Sequence, residues 1–171
     1  MKYKLSDAAH ISEIIGAIAI ILSLAFVGIQ LQKNTSATKS ASAISATNSM
    51  AEWYTTLGSS EKNSTLFRNF MADPNSLTEE QQFQIIMNFH AVILILQNNY
   101  YLANEGTLDP EMKNSISESL VVVKDFPGWK LYWRTRRSLF LKGFQEYVDN
   151  LSKVDRKLSS EIYKKVDVAD K

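Results

Sequence analysis

Eighteen consecutive residues, Ile14 to Leu31 (IIGAIAIILSLAFVGIQL), carry no charge, and only Ser23 and Gln30 among them are strongly polar. At about 1.5 Å per helical residue this run, extended by Ile11 to Glu13, matches the roughly 30 Å hydrocarbon core of a bilayer. A chain crossing lipid must satisfy its backbone N–H and C=O groups internally, so the run is expected to be helical. Glu13 would lie at the interface near the helix N-terminus, where the dipole favours an anion. A cleaved signal peptide is the main alternative. Against it, Asp7 and Glu13 precede the run, the run exceeds the usual apolar core of a signal peptide, and Ala41-Ser42-Ala43 lies too far beyond Leu31 to serve as its cleavage site. A buried soluble helix would show a polar break on some face, and none is present. The expectation is an N-terminal tail over 1–10 and a transmembrane helix over 11–31.

No helix stop follows Leu31. Residues 34–49 (NTSATKSASAISATNS) are almost all small or polar, without Pro or Gly. They suit either a flexible Ser/Ala linker or a helix that continues into water. Spacing favours continuation. Alternating steps of four and three lead from Ser12 through Gly16, Ala19, Ser23, Phe26, Gln30, Lys33, Ala37, Ser40, Ile44, Thr47 and Ala51 to Tyr54. A 3.5-residue period is that of a coiled-coil seam, and small residues let helix backbones approach closely in membranes. Gly16, Ala19, Ser23, Ala37, Ser40, Ile44 and Ala51 are therefore the candidate helix–helix interface, within the chain or between copies. In a segment this rich in Ala and Ser, many stripes contain small residues by composition alone. The juxtamembrane helix over 32–58 becomes amphipathic at Met50, Trp53, Tyr54 and Leu57, and Gly58 with Ser59-Ser60 ends it.

A soluble helical domain is expected over 59–152. Six Gly and three Pro in 171 residues favour helices, and 45% hydrophobic residues suffice for a core. Glu61 to Ala72 places Leu66, Phe67, Phe70 and Met71 on one face before Asp73-Pro74 stops it. Ser76 is expected to open the next helix in a capping box with Glu79. That helix runs to about Asn104, and its centre, Ile85 to Leu96, is apolar almost all round, which suits a central core helix. Asp109-Pro110 opens a helix with Met112, Ile116, Leu120 and Val123 inward. After a turn at Phe126-Pro127-Gly128, Trp129 to Trp133 begin another, and a last one holds Phe144, Tyr147, Val148 and Leu151. Residues 153–171 form an amphipathic tail with Val154, Leu158, Ile162 and Val166. The fold class is all-α: an N-terminal transmembrane helix continuing into a long helix, then a helical bundle.

Chemical motifs are sparse. The chain has no cysteine, which excludes disulfides, thiol catalysis and Cys-based zinc sites. His90 lies mid-helix in an apolar stretch, but its i+3 and i+4 neighbours are Ile93 and Leu94 and the other histidine is His10. It reads as a hydrogen-bonded core residue ahead of a base or metal ligand. Glu79-Glu80 suit a first helical turn, where the dipole explains them. No nucleophile elbow or phosphate-binding glycine motif occurs. Neither a cofactor nor a metal site is expected.

A net charge of +1 gives no case for nucleic acid. Residues 32–123 carry five basic and nine acidic side chains, residues 124–171 twelve and seven, so the two parts could attract each other. The run Trp129 to Arg137 interleaves aromatics with cations. Arg134, Arg136 and Arg137 are candidates for contact with lipid headgroups or an acidic partner, or form a solvated face paired with acids of the middle segment.

The sequences Ile29-Gln30-Leu31-Gln32-Lys33-Asn34-Thr35, Asn99-Tyr100-Tyr101, Glu105-Gly106-Thr107-Leu108, Pro127-Gly128-Trp129, Arg136-Arg137 and Phe144-x-x-Tyr147-Val148-Asp149 resemble a group of uncharacterised bacterial single-pass membrane proteins. The resemblance implies a bacterial inner-membrane protein and supplies no catalytic residues. Lys2 and Lys4 balance Lys33 and Lys39 across the span, so orientation is open; a cytoplasmic C-terminal domain is the working expectation. The expected partners are the bilayer and either further copies or another membrane protein. The leading functional reading is a membrane-anchored, self-associating helical scaffold without enzymatic activity. A homo-oligomeric pore lined by Ser12, Ser23 and Gln30 is one alternative, and a membrane-tethered enzyme using His90 or the arginines is another.

Overall fold

A computed structural model describes residues 5–155, with side chains from residue 9 onward; Leu158, Ile162 and Val166 of the expected tail lie outside the described residues. Six α-helices and two short 3-10 turns account for the described secondary structure, with no strand among the described residues. The chain divides into two compact units, 1–41 and 42–171.

The first unit is contributed by α1, Leu5–Gly58, whose first part is the apolar run. This is the one helix among the described residues long and apolar enough to cross a membrane. Every residue from 9 to 41 is exposed, and the large apolar side chains between Ile11 and Leu31 are each 51 to 67% accessible. The Ser/Thr-rich stretch is helical throughout. Thr35 and Thr38 return their hydroxyls to the carbonyls of Leu31 and Asn34 at 2.9 Å, so these side chains bond within the helix instead of diverting its backbone.

The second unit takes in the last part of α1 from Ser42. Ala46, Met50 and Trp53 are buried and Leu57 packs against the core, at helical spacing; Tyr54 is 47% exposed at the edge of that face. α2, Glu61–Ala72, buries Leu66, Phe67, Phe70 and Met71 as their spacing predicts. Its first turn also satisfies carbonyls left open at the end of α1: Asn63 Nδ2 donates to Thr56 O at 3.0 Å and Ser64 Oγ to Leu57 O at 2.7 Å.

α3, Glu79–Asn104, starts later than the sequence suggests. Asp73 caps a 3-10 turn over Pro74–Ser76, and the Ser76 hydroxyl donates to Asp73 O at 2.7 Å. Ser76 is thereby consumed, and the capping box is Thr78 with Gln81 instead of Ser76 with Glu79. Ile85, Phe89, Val92, Ile93 and Leu96 bury one face of α3, but Phe83, Met87, Leu94 and Tyr101 remain exposed. Gly106 then adopts a positive φ of 72°, the left-handed geometry that closes a helix end.

α4, Pro110–Val123, opens as expected, with Asp109 Oδ1 accepting from Glu111 N at 2.7 Å. Leu120 and Val123 are buried, while Met112 and Ile116 are half-buried. α5, Pro127–Arg136, includes Pro127 and Gly128, which the sequence assigns to a turn. A Cβ at Gly128 would sit 2.8 Å from Phe70 C and 2.9 Å from Met71 Cα, so the lack of a side chain lets α5 press against the α2 backbone. A 3-10 turn, Arg137–Leu139, leads to α6, Lys142–Ser152, which buries Phe144 and Val148.

Aromatic rings fill the core. Phe89 meets Tyr132 edge-on at 5.0 Å and Trp129 at 5.9 Å, and Trp129 stacks on Trp133 at 5.4 Å. Two buried indoles find acceptors for N–H groups that burial would otherwise strand. Trp53 Nε1 donates to Asn88 at 3.1 Å, and Trp133 Nε1 to Asp149 at 2.8 Å.

Candidate functional site

The residues singled out for chemistry do not converge. His90 Nδ1 and the Tyr132 hydroxyl lie 2.7 Å apart and share a hydrogen bond, and the imidazole also packs on Phe140 at 5.2 Å. Tyr132 is fully buried, and that burial pushes its phenol well above the ordinary tyrosine range. A neutral buried hydroxyl needs a partner, and His90 supplies it. Glu79 and Glu80 occupy the first turn of α3, where hydrogen bonding at the helix start lowers the Glu80 carboxyl. Among the described residues no cluster of three or more His, Cys, Asp or Glu could hold a metal ion.

The three arginines separate. Arg137 forks onto Asp149, with Nε at 3.0 Å and an η nitrogen at 2.7 Å from Oδ2, and its other η nitrogen donates to Gln145. For Arg137 the acid is therefore not one of the middle segment, since Asp149 belongs to the basic C-terminal part. The Arg137 guanidinium, together with the Trp133 indole, holds the Asp149 carboxyl below the usual carboxylate range. Arg136 is half-buried with an unpaired Nε, and Arg134 is exposed one turn after the exposed Lys130.

The small-residue stripe lies in both units. Gly16, Ala19, Ser23, Ala37 and Ser40 fall in the first, Ile44 and Ala51 in the second, and all seven are exposed. On the second unit the stripe is turned about 100° from the buried face that holds Ala46, Met50 and Trp53, given 3.6 residues per turn. There Thr47, Ala51 and Tyr54 line an open, mainly apolar groove of about 670 Å³. Its other wall is the start of α4, with Met112 and Ile116, and Asp109 and Glu111 at the rim.

Comparison with family models, with curated proteins and with solved structures finds no match for this chain.

Two features escape a reading of the sequence. Asn99, 1% exposed in α3, leaves both its amide nitrogen and its oxygen without a partner. The exposed apolar side of α3 is the other. Its signal is present in the spacing of Phe83, Met87, Leu94 and Tyr101, but a helix apolar on several faces does not declare which face is covered.

Proposed function

We propose that the protein is a membrane-anchored helical interaction module that assembles with further copies of itself. The carrying observation is the first part of α1, where every large apolar side chain from Ile11 to Leu31 is more than half exposed. At about 25 cal/mol per Å², leaving that surface in water would cost far more than a domain's net stability, so lipid is the environment that suits it. The small-residue stripe on the same helix supports assembly, since all seven of its members remain accessible to another helix. A role without catalysis fits the employment of His90 by Tyr132 and of Arg137 by Asp149 within the fold. The resemblance adds a bacterial inner membrane to this reading; a cytoplasmic C-terminal domain is its working orientation, and the bilayer and other copies are its partners.

Alkaline carbonate extraction of membranes from a bacterial host tests the anchor. The full chain is expected to stay in the pellet, and release into the supernatant would overturn the reading. Because the chain has no cysteine, single cysteines at Ser45 and Lys2, probed with an impermeant thiol reagent on intact spheroplasts, test orientation. A cytoplasmic domain predicts labelling at Lys2→Cys and protection at Ser45→Cys; the converse would reverse the topology.

A further inference from the structure

The exposed face of α3 is a second seam, separate from the stripe on α1. Phe83, Met87, His90, Leu94, Gln97 and Tyr101 follow one another in steps of four, three, four, three and four. Phe83 is 64% exposed, Met87 40%, Leu94 45% and Tyr101 50%, with His90 and Gln97 half-buried between them. Leu141 N–H donates to Gln97 Oε1 at 2.7 Å, which sets Leu141 (54% exposed) and nearby Leu139 (60%) as an apolar shoulder beside the seam. These six residues leave roughly 600 Å² in water, at the top of the range for the largest apolar patch on a monomer, and the polar side chains between them would bring a contact towards the roughly 800 Å² per partner of a standard interface.

We propose that this seam pairs with the same seam of a second copy, antiparallel, about a two-fold axis near Val92. The register follows from the spacing. The six positions are symmetric about residue 92, so Phe83 meets Tyr101 of the second copy, Met87 meets Gln97, and His90 meets Leu94. Each copy thus presents aromatics at both ends and smaller side chains at the centre, as an isologous contact requires. Steps of 3.5 residues over some 27 Å of helix are the geometry of helix-on-helix packing. Charge selects the partner and its direction. α3 itself contains no Lys or Arg, and beside the Leu139–Leu141 shoulder Arg137 is held by Asp149 and Lys142 alone is exposed, fewer free cations than a face made for anionic lipid would carry. Parallel pairing would gather Glu79 and Glu80 of both copies at one end. Antiparallel pairing leaves one Glu79–Glu105 approach at each end in place of that cluster, sets Glu80 beside the uncharged Asn104, and opposes the helix dipoles.

The proposal rests on self-association, and the test separates the two. The full chain, free of native cysteine, is made as Phe83→Cys and as Tyr101→Cys with different tags. The two are expressed singly and together in membranes, then oxidised mildly. The seam predicts a covalent species of twice the chain mass in the mixed sample, joining the two tags, and no such species with either variant alone. The two positions lie about 27 Å apart along one helix, beyond the Cα spacing a disulfide tolerates. Self-bridging of each single variant would mean parallel pairing and overturn the proposal. So would the absence of any bridge, and if native mass spectrometry then still finds a dimer, self-association stands on another surface.

Discussion

Gly128 bears most directly on how tightly the helices pack. A methyl there would press into the Phe70 carbonyl group and stand 2.9 Å from Met71 Cα, and backbone cannot move aside as a flexible side chain can. Gly128→Ala is expected to cost about 1–3 kcal/mol or more through overpacking, seen as a lower Tm. Asn99 has the opposite sign. Two buried polar atoms without partners carry a desolvation cost, so Asn99→Leu, which keeps the branched shape, is expected to raise Tm. Asp149 links stability to pH. Its carboxyl titrates lower in the fold than in the unfolded chain, chiefly through its hydrogen bonds from Arg137. The stability it adds is complete above the unfolded value of about 3.9 and is lost as pH falls from there through the lower folded value. With the Asp149 side chain 34% and the Arg137 side chain 40% exposed, solvent trims the effect. Denaturant midpoints measured between neutral and strongly acidic pH should fall at the acid end, and Asp149→Asn should flatten that fall. None of these three residues announces its role in the sequence. Arg137 and Asp149 are twelve positions apart, His90 and Tyr132 forty-two, and only the folded bundle joins them.

Helices with local punctuation are legible element by element. Leu66, Phe67, Phe70 and Met71 mark the buried side of α2, and Asp109-Pro110 marks the start of α4, because caps and periodicity act within a few residues. The start of α3 departs from its expected cap for an equally local reason: Asp73-Pro74 turns the chain first and uses the Ser76 hydroxyl, leaving Thr78 to cap. Thr78→Ala is accordingly expected to cost about 1 kcal/mol, and Ser76→Ala less, measured as shifts in denaturant midpoint. Periodicity fails differently on α3 and α1. It shows that a face is apolar or small, but not whether this chain covers it. The structure buries Ala46, Met50 and Trp53 and leaves Ile44, Ala51, Phe83 and Leu94 exposed, so faces that look alike in sequence have different fates.

For the whole molecule, the all-α architecture follows from scarce Gly and Pro, sustained helical spacing and one long apolar run, and the six helices of the described residues bear it out. A bundle whose aromatic core is closed by its own indole and guanidinium bonds still leaves two helical surfaces open, the stripe on α1 and the seam on α3. Both are suited to another helix, and the proposed function depends on their occupation. Native mass spectrometry of the full chain, released from a mild detergent over a range of concentrations, reads that occupation out. A defined oligomer is expected, with Ala19→Phe and Ser23→Phe shifting it towards monomer if the α1 stripe contributes. A monomer at every concentration in the detergent would contradict self-assembly.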